Sequence, residues 1–262
     1  MRKPMLRGLY TAWTGMVNEQ KRLDVISNNL ANADTLGYKQ ESVSSQSFDK
    51  MLTIKIRDGS QAYHNQAIGT MSLGVKVGEV YTDYSQGSVR GTSSPLDLAL
   101  SGKGFFTITT TNAKGETVTR YTRDGSFQMT KDGYLVDSQG NRVQGMSGDI
   151  QLNPDAKEIT IDNSGRITVD GEVKDTLKIV DFENYDYILK TGDNLYYTVE
   201  GATPITSDAS VLQGYTEQSN VNVVSEMVDM ITVTRAYEAN QKMIRSQDSM
   251  LEKAVNQVGR LS

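Results

Sequence analysis

The feature that most constrains this chain is a seven-residue repeat near its end. Between Asn222 and Ser262, Met230, Tyr237, Ile244, Leu251 and Val258 recur every seven residues without a gap. Side chains at that spacing hold one seam of a slightly underwound α-helix. Asn222 suits the N-cap, and Glu226 falls in the first turn, where the helix dipole favours an anion. No Gly or Pro interrupts the run before Gly259, so the spacing predicts one rod of roughly 55 Å at about 1.5 Å per residue. The companion positions read Val233, Asn240, Gln247, Ala254 and Leu261, a second stripe diluted by Asn and Gln. Polar residues in a seam lower stability and restrict register and partner choice. On the stripe alone, packing on its own domain and packing into an assembly are equally open.

The beginning of the chain shifts that balance toward assembly. From Pro4 to about Asp34, Leu9, Met16, Leu23 and Leu30 also recur every seven residues, flanked by Leu6 and Trp13 and diluted by Gln20 and Ser27. Pro4 suits a first helical turn, and Gly37 after Thr35 is a stop. Two terminal helices of this kind pair parallel or antiparallel. Neither buries its stripe alone and an isolated pair has little core, so further copies of the chain are natural partners.

Charge and composition narrow the function. The chain has 262 residues and a net charge of −5, which argues against nucleic acid. With no cysteine there are no disulfides or thiolate metal sites, and His64 is the only histidine. No apolar run approaches the roughly 20 residues needed to span a bilayer. Arg2, Lys3 and Arg7 are basic, but Asn18, Glu19, Gln20, Lys21 and Arg22 stand where a signal peptide is most apolar, so a cleaved signal is not expected.

Between the helices the pattern changes to β. Residues 40 to 94 are rich in Ser, Gln, Gly and Thr, with an apolar element at Phe48, Met51, Leu52, Ile54 and Ile56, a loop from Ala62 to Met71, and a strand near Val75 to Tyr81. From Gly104 to Val180, short β-branched and aromatic runs alternate with turn signals at Asn112 to Gly115, Asp124-Gly125, Asp132-Gly133, Gln139 to Asn141, Asn163 to Gly165 and Asp170-Gly171. This is the signature of hairpins and meanders, not of βαβ units. Leu195 to Val199 closes the sheet region, and Gly201 to Asp208 reads as a linker. The expected fold is α+β, with long coiled-coil-forming terminal helices flanking an all-β middle. The expected divisions are 1–71, 72–214 and 215–262.

Asn28-Asn29-Leu30-Ala31-Asn32, followed by Thr35, Gly37, Tyr38 and Lys39, crowds amides into a helix end, where they compete with helical hydrogen bonds. This pattern resembles the N-terminal signature of the bacterial flagellar rod and hook proteins. The run Ser94 to Phe106, then Tyr121 to Phe127 and Asp132 to Val136, is similar to that family's entry into its outer β-domain. Gln213 to Asn222 and Arg235 to Asn240 are similar to its C-terminal signature. Length and detail resemble the distal-rod branch most closely, with proximal-rod or hook-type members next.

The resemblance implies an axial structural protein of the flagellar basal body. Many copies would stack helically into a hollow drive shaft, terminal helices inside and β-domain outward. Its partners would be itself, other rod and hook proteins and the flagellar export apparatus, which would pass it unfolded, with no cofactor. The candidate assembly residues are Leu9, Met16, Leu23, Leu30, Met230, Tyr237, Ile244, Leu251 and Val258, and the family-signature residues are Asn28, Asn29, Leu30, Asn32, Thr35, Gly37 and Tyr38.

Two other classes compete. Paired carboxylates of the Asp-Gly turns could serve a glycan-cleaving or glycan-binding domain, but Asp beside Gly is ordinary turn chemistry. Gly102-Lys103-Gly104 lacks the spacing and hydroxyl of a phosphate loop, and Asp124 and Asp132 are not spaced as ligands of one calcium loop. A membrane-surface helix would use Arg2, Lys3, Arg7, Leu6, Leu9 and Trp13, yet Glu19 and Asp24 interrupt its polar face, which favours a helix partner.

Overall fold

The computed structural model describes residues 3–55, 66–111, 115–156, 158–192 and 194–258. The two seven-residue series form the two long helices, α1 (Lys3–Ala31) and α2 (Val223–Val258). Helix α2 starts right after Asn222 and carries Glu226 in its first turn, as the capping signals predict. Helix α1 stops earlier than the expected Asp34. The Asn32 carbonyl accepts the Thr35 N–H at 3.2 Å, and the Asn32 side-chain oxygen accepts the Thr35 hydroxyl at 2.9 Å. Those bonds turn the chain out of the helix, and Gly37 at φ 66° completes the turn. No helix among the described residues is long and apolar enough to cross a membrane.

Two compact units emerge. The first joins residues 1–30, 41–82 and 223–262, and the second joins 31–40 and 83–222. This grouping differs from divisions at 71/72 and 214/215, because pairing between distant segments outweighs chain order. In the first unit, Glu41–Ser47 pairs antiparallel with Val75–Thr82, with a register shift between Val43 and Ser45. Met51–Lys55 pairs antiparallel with Gln66–Met71. The expected loop from Ala62 to Met71 is therefore a strand from Gln66 onward. Ile56 and His64 lie outside the described residues.

The second unit is the all-β middle. Its largest sheet runs, neighbour to neighbour, through Ile188–Thr191, Leu195–Thr198, Thr117–Thr122, Phe105–Thr111, Arg142–Val143, Leu135–Val136 and Gln128–Met129. Ile179–Phe182 pairs on Phe105 and Phe106 and also with Pro204–Thr206. Ser210–Gln213 pairs with Leu98–Ser101, and Tyr215–Glu217 with Val89–Gly91. The expected linker from Gly201 to Asp208 thus contains a sheet strand, Pro204–Thr206, held by pairing with Ile179–Phe182.

Asp170 and Gly171, at φ 50° and 88°, make a two-residue hairpin between Val169 and Glu172, as an Asp-Gly step predicts. Asp124-Gly125 is not such a turn. Asp124 is buried, and Gly125 lies so close to the Leu98 carbonyl that a β-carbon there would collide with it. One core gathers Leu98, Leu100, Phe106, Ile108, Phe127, Leu135, Val143, Ile150, Ile167 and Val211. A second is aromatic: Phe105, Phe182 and Tyr196 are buried beside Tyr84, which stacks on Tyr185 at 4.8 Å between ring centres.

Candidate functional site: a two-helix seam and a buried ion cluster

Within the first unit the helices run antiparallel. The Gln247 amide occupies the space a β-carbon would need at Gly8, and the Asn240 amide lies 3.0 Å from that position at Gly15. Residue numbers rise along α1 while their partners fall along α2. The two amides that dilute the second stripe therefore sit where α1 has no side chain. On α2, Glu226 and Val233 are the deepest residues. Met230, Tyr237, Ile244 and Leu251 are all half-buried, and the side chain of Val258 lies outside the described residues.

On α1, Leu9, Met16, Leu23 and Leu30 are likewise half-buried. The residues buried most deeply are others: Ala12, Asn18, Val25, Ile26 and Asn29. A further face of α1 packs on the strand ribbon of the same unit. The Thr11 hydroxyl lies 3.3 Å from the Leu73 carbonyl, and the Ser45 hydroxyl donates to Asn18 at 3.1 Å. Outward, Tyr10, Trp13 and Val17 on α1 and Val224, Met227, Val228 and Ile231 on α2 are exposed. Sequence reasoning passed over Gly8 and Gly15, although their seven-residue spacing inside a helix was a signal.

The signature residues hold the chain where α1 ends. Asn29 imitates a strand: its side-chain NH2 donates to the Glu41 carbonyl at 2.8 Å, and its oxygen accepts the Glu41 N–H at 3.0 Å. That clamp starts the ribbon strand despite its Ser- and Gln-rich sequence. Asn28 is exposed. In the second unit, a β-carbon on Gly37 would meet the backbone of Arg123 and Asp124, and the Gly37 N–H donates to the Glu217 carbonyl at 2.9 Å. Tyr38 is fully buried, with the Lys190 ammonium 3.6 Å from its ring centre.

Beside it lies an ion cluster with no exposed charge. The Lys39 ammonium meets Glu217 at 2.5 Å and donates to the Ser85 carbonyl at 2.8 Å. The second oxygen of Glu217 faces Arg123 at 3.4 Å, and its first accepts the Gly87 N–H at 3.0 Å. Burial pushes the Lys39 ammonium below its ordinary value, and the Glu217 carboxylate opposes that shift. Asn220 closes the same corner. It accepts the Gln40 N–H at 2.7 Å and donates to the Asp83 carbonyl at 2.9 Å. Residues from four stretches of the sequence thus converge to anchor one loop.

This chemistry is architectural. Among the described residues no group of three or more His, Cys, Asp or Glu side chains could hold a metal ion. Asp124, the acid most withdrawn from solvent among the described Asp-Gly pairs, is committed to Ser126 and Asn194. Burial raises its carboxyl above the ordinary 3.8, against the pull of the Ser126 bonds.

Comparison with known proteins finds three family models matching along the chain. Residues 9–39 match a family model described as flagella basal body rod protein. Residues 99–169 match the flagellar hook protein FlgE/F/G D1 domain, and residues 212–258 match the C-terminal domain of flagellar basal body rod FlgEFG proteins. The flagellar basal-body rod protein FlgG of Bacillus subtilis is 34% identical, covering 96% of this chain and 99% of the relative. FlgG of Caulobacter vibrioides is 36% identical, covering 94% and 97%. The flagellar hook-basal body complex protein FlhO of Bacillus subtilis is 31% identical, covering 98% and 100%.

Proposed function

The chain belongs to the family of flagellar basal-body rod proteins, and from that premise we propose how its parts build a rod. It is a structural subunit of the flagellar basal body, of the distal-rod branch, and it works alongside other rod and hook proteins. Its antiparallel helix pair forms the inner wall of a hollow, helically stacked tube, and its β-rich unit faces outward. The flagellar export apparatus delivers the chain unfolded. The division of labour follows: the first unit, with α1 and α2, carries assembly, while the second shapes the outer surface.

The observation that carries this reading is the state of the stripes. Leu9, Met16, Leu23, Leu30, Met230, Tyr237, Ile244 and Leu251 all stay half-buried in a single chain, so each helix pair has apolar surface left for its neighbours. Asp at Ile244 or Leu251 places an unpaired charge in that surface, costing several kcal/mol in every subunit. Asp at Ser246 or Ser249, both exposed, should be tolerated. Rods counted by electron microscopy in a motile host should vanish for the first pair and persist for the second. Normal rods with Leu251→Asp would overturn the reading. Circular dichroism of each monomer would show whether the β-rich unit still folds.

A further inference from the structure

The outward faces of the two helices match in spacing. On α1, Tyr10, Trp13 and Val17 run i, i+3, i+7, and Tyr10 and Trp13 are 59% and 52% exposed. On α2, Ile231, Val228 and Val224, read backwards, take the same steps, and Val224 is 72% exposed. An antiparallel approach therefore sets Tyr10 against Ile231, Trp13 against Val228 and Val17 against Val224, with Thr14 beside Met227.

These partners do not meet within one chain. Asn240 over Gly15 and Gln247 over Gly8 set Trp13 level with Lys242. Val228 then lies about fourteen residues away along α2, about 21 Å of helix. We propose that the Tyr10–Trp13–Val17 face of α1 docks on the Val224–Val228–Ile231 face of α2 in a second copy of this chain, displaced by about 21 Å along the helix axis. The inference rests on the rod reading and deepens it by naming the register between copies.

The partner is a copy of the chain for two reasons. The matching face is supplied by the chain itself, in the polarity already used by the seam, so the new contact continues an existing interface around α1. The two faces also differ and stand at different heights, so each copy offers one face to one neighbour and the other face to the next. Such a contact is heterologous and does not close on itself; it propagates as a helical filament. Three apolar side chains on each side fall far short of the roughly 1,600 Å² of a stable pair. The contact is therefore weak singly and effective only when repeated around a lattice.

The chain has no cysteine, so introduced thiols report unambiguously. Chains bearing Trp13→Cys and chains bearing Val228→Cys are co-expressed with an excess of unsubstituted chain, and isolated rods are oxidised. A covalent heterodimer is expected. Because a disulfide does not bridge Cα atoms more than about 7 Å apart, no bond of this kind forms inside one chain. Val17→Cys with Val224→Cys is a milder pair in the same register and should cross-link equally. Exclusion of these chains from the mixed rods would itself mark the face as an assembly contact. Mixed rods with no heterodimer from either pair, or with Trp13→Cys linking only to Lys242→Cys, would overturn the stagger and leave the rod reading intact. Failure of the unsubstituted chain to enter rods would instead overturn the rod reading.

Discussion

The Lys39 ammonium and the Glu217 carboxylate stand 178 residues apart in the chain and meet at 2.5 Å, with neither side chain exposed to solvent. Removing one partner of a buried pair leaves an uncompensated charge, at a cost of about 3–5 kcal/mol. Lys39→Met leaves Glu217 its Arg123 partner and the Gly87 N–H, so its cost should fall at the low end. Glu217→Gln strands both cations and should cost more. Urea unfolding of the two variants, followed by tyrosine fluorescence, checks the order. Equal midpoints would show that the cluster does not hold the loop.

Gly15 is a seat for the Asn240 amide, which a β-carbon there would approach to 3.0 Å and a bulky side chain would displace. Gly15→Leu should therefore separate α1 from α2 and abolish rods, while the denaturation midpoint of the β-rich unit stays unchanged. Asn240→Ala, which empties the seat without overfilling it, should still assemble. Basal bodies from both strains, examined by electron microscopy, distinguish them.

Asn29→Ala removes two hydrogen bonds to the Glu41 backbone at a buried position. A loss of about 1–3 kcal/mol is expected from the unpaired donor and acceptor. Hydrogen exchange should quicken along Glu41–Ser47 and its partner strand Val75–Thr82, and not along Phe105–Thr111. Unchanged protection in the first two strands would count against the clamp.

Asp124 sets a pH dependence of known sign. Its native carboxyl holds its proton above 3.8, chiefly because of burial, with Asp137 and Asp97 adding to the shift. The native state therefore binds the extra proton. Its contribution is fully present below 3.8 and is lost as pH rises through the raised native value. Relative to Asp124→Asn, the unsubstituted protein should gain stability as pH falls from neutral toward 3.8. Urea midpoints of both proteins against pH test this, and parallel curves would refute it.

The helices were legible because a seven-residue apolar series admits few other structures, and the Asp170-Gly171 hairpin was legible because only such residues take its backbone shape easily. The Asp124-Gly125 step looks the same in sequence and serves a different purpose: its glycine makes room for the Leu98 carbonyl. Local composition does not distinguish a hairpin tip from a close backbone approach. Glu41–Ser47 and Gln66–Met71 escaped for a related reason. The first is Ser- and Gln-rich and owes its strand state to its partner and to the Asn29 clamp; the second is broken by Gly69 and owes its state to pairing with Met51–Lys55. At the site, the amides in the second stripe are visible in sequence, but nothing beside them points to Gly8 and Gly15, more than 200 residues away. Lys39 and Glu217 each fell within a recognisable motif, yet nothing in either motif points to the other.

The seam also fixes an order of events. Gly8 and Gly15 find Gln247 and Asn240 only when nearly the whole chain is present, so these contacts are among the most distant in sequence that the molecule makes. Closing so long a loop is slow compared with the local pairing of hairpins such as Val169 and Glu172. A chain that emerges amino-terminus first thus exposes α1 through the whole passage of the β-rich segment. Its first helix to appear is the last to be completed, and until α2 arrives the Gly8–Gly15 side of α1 is open to any binder that reaches it first.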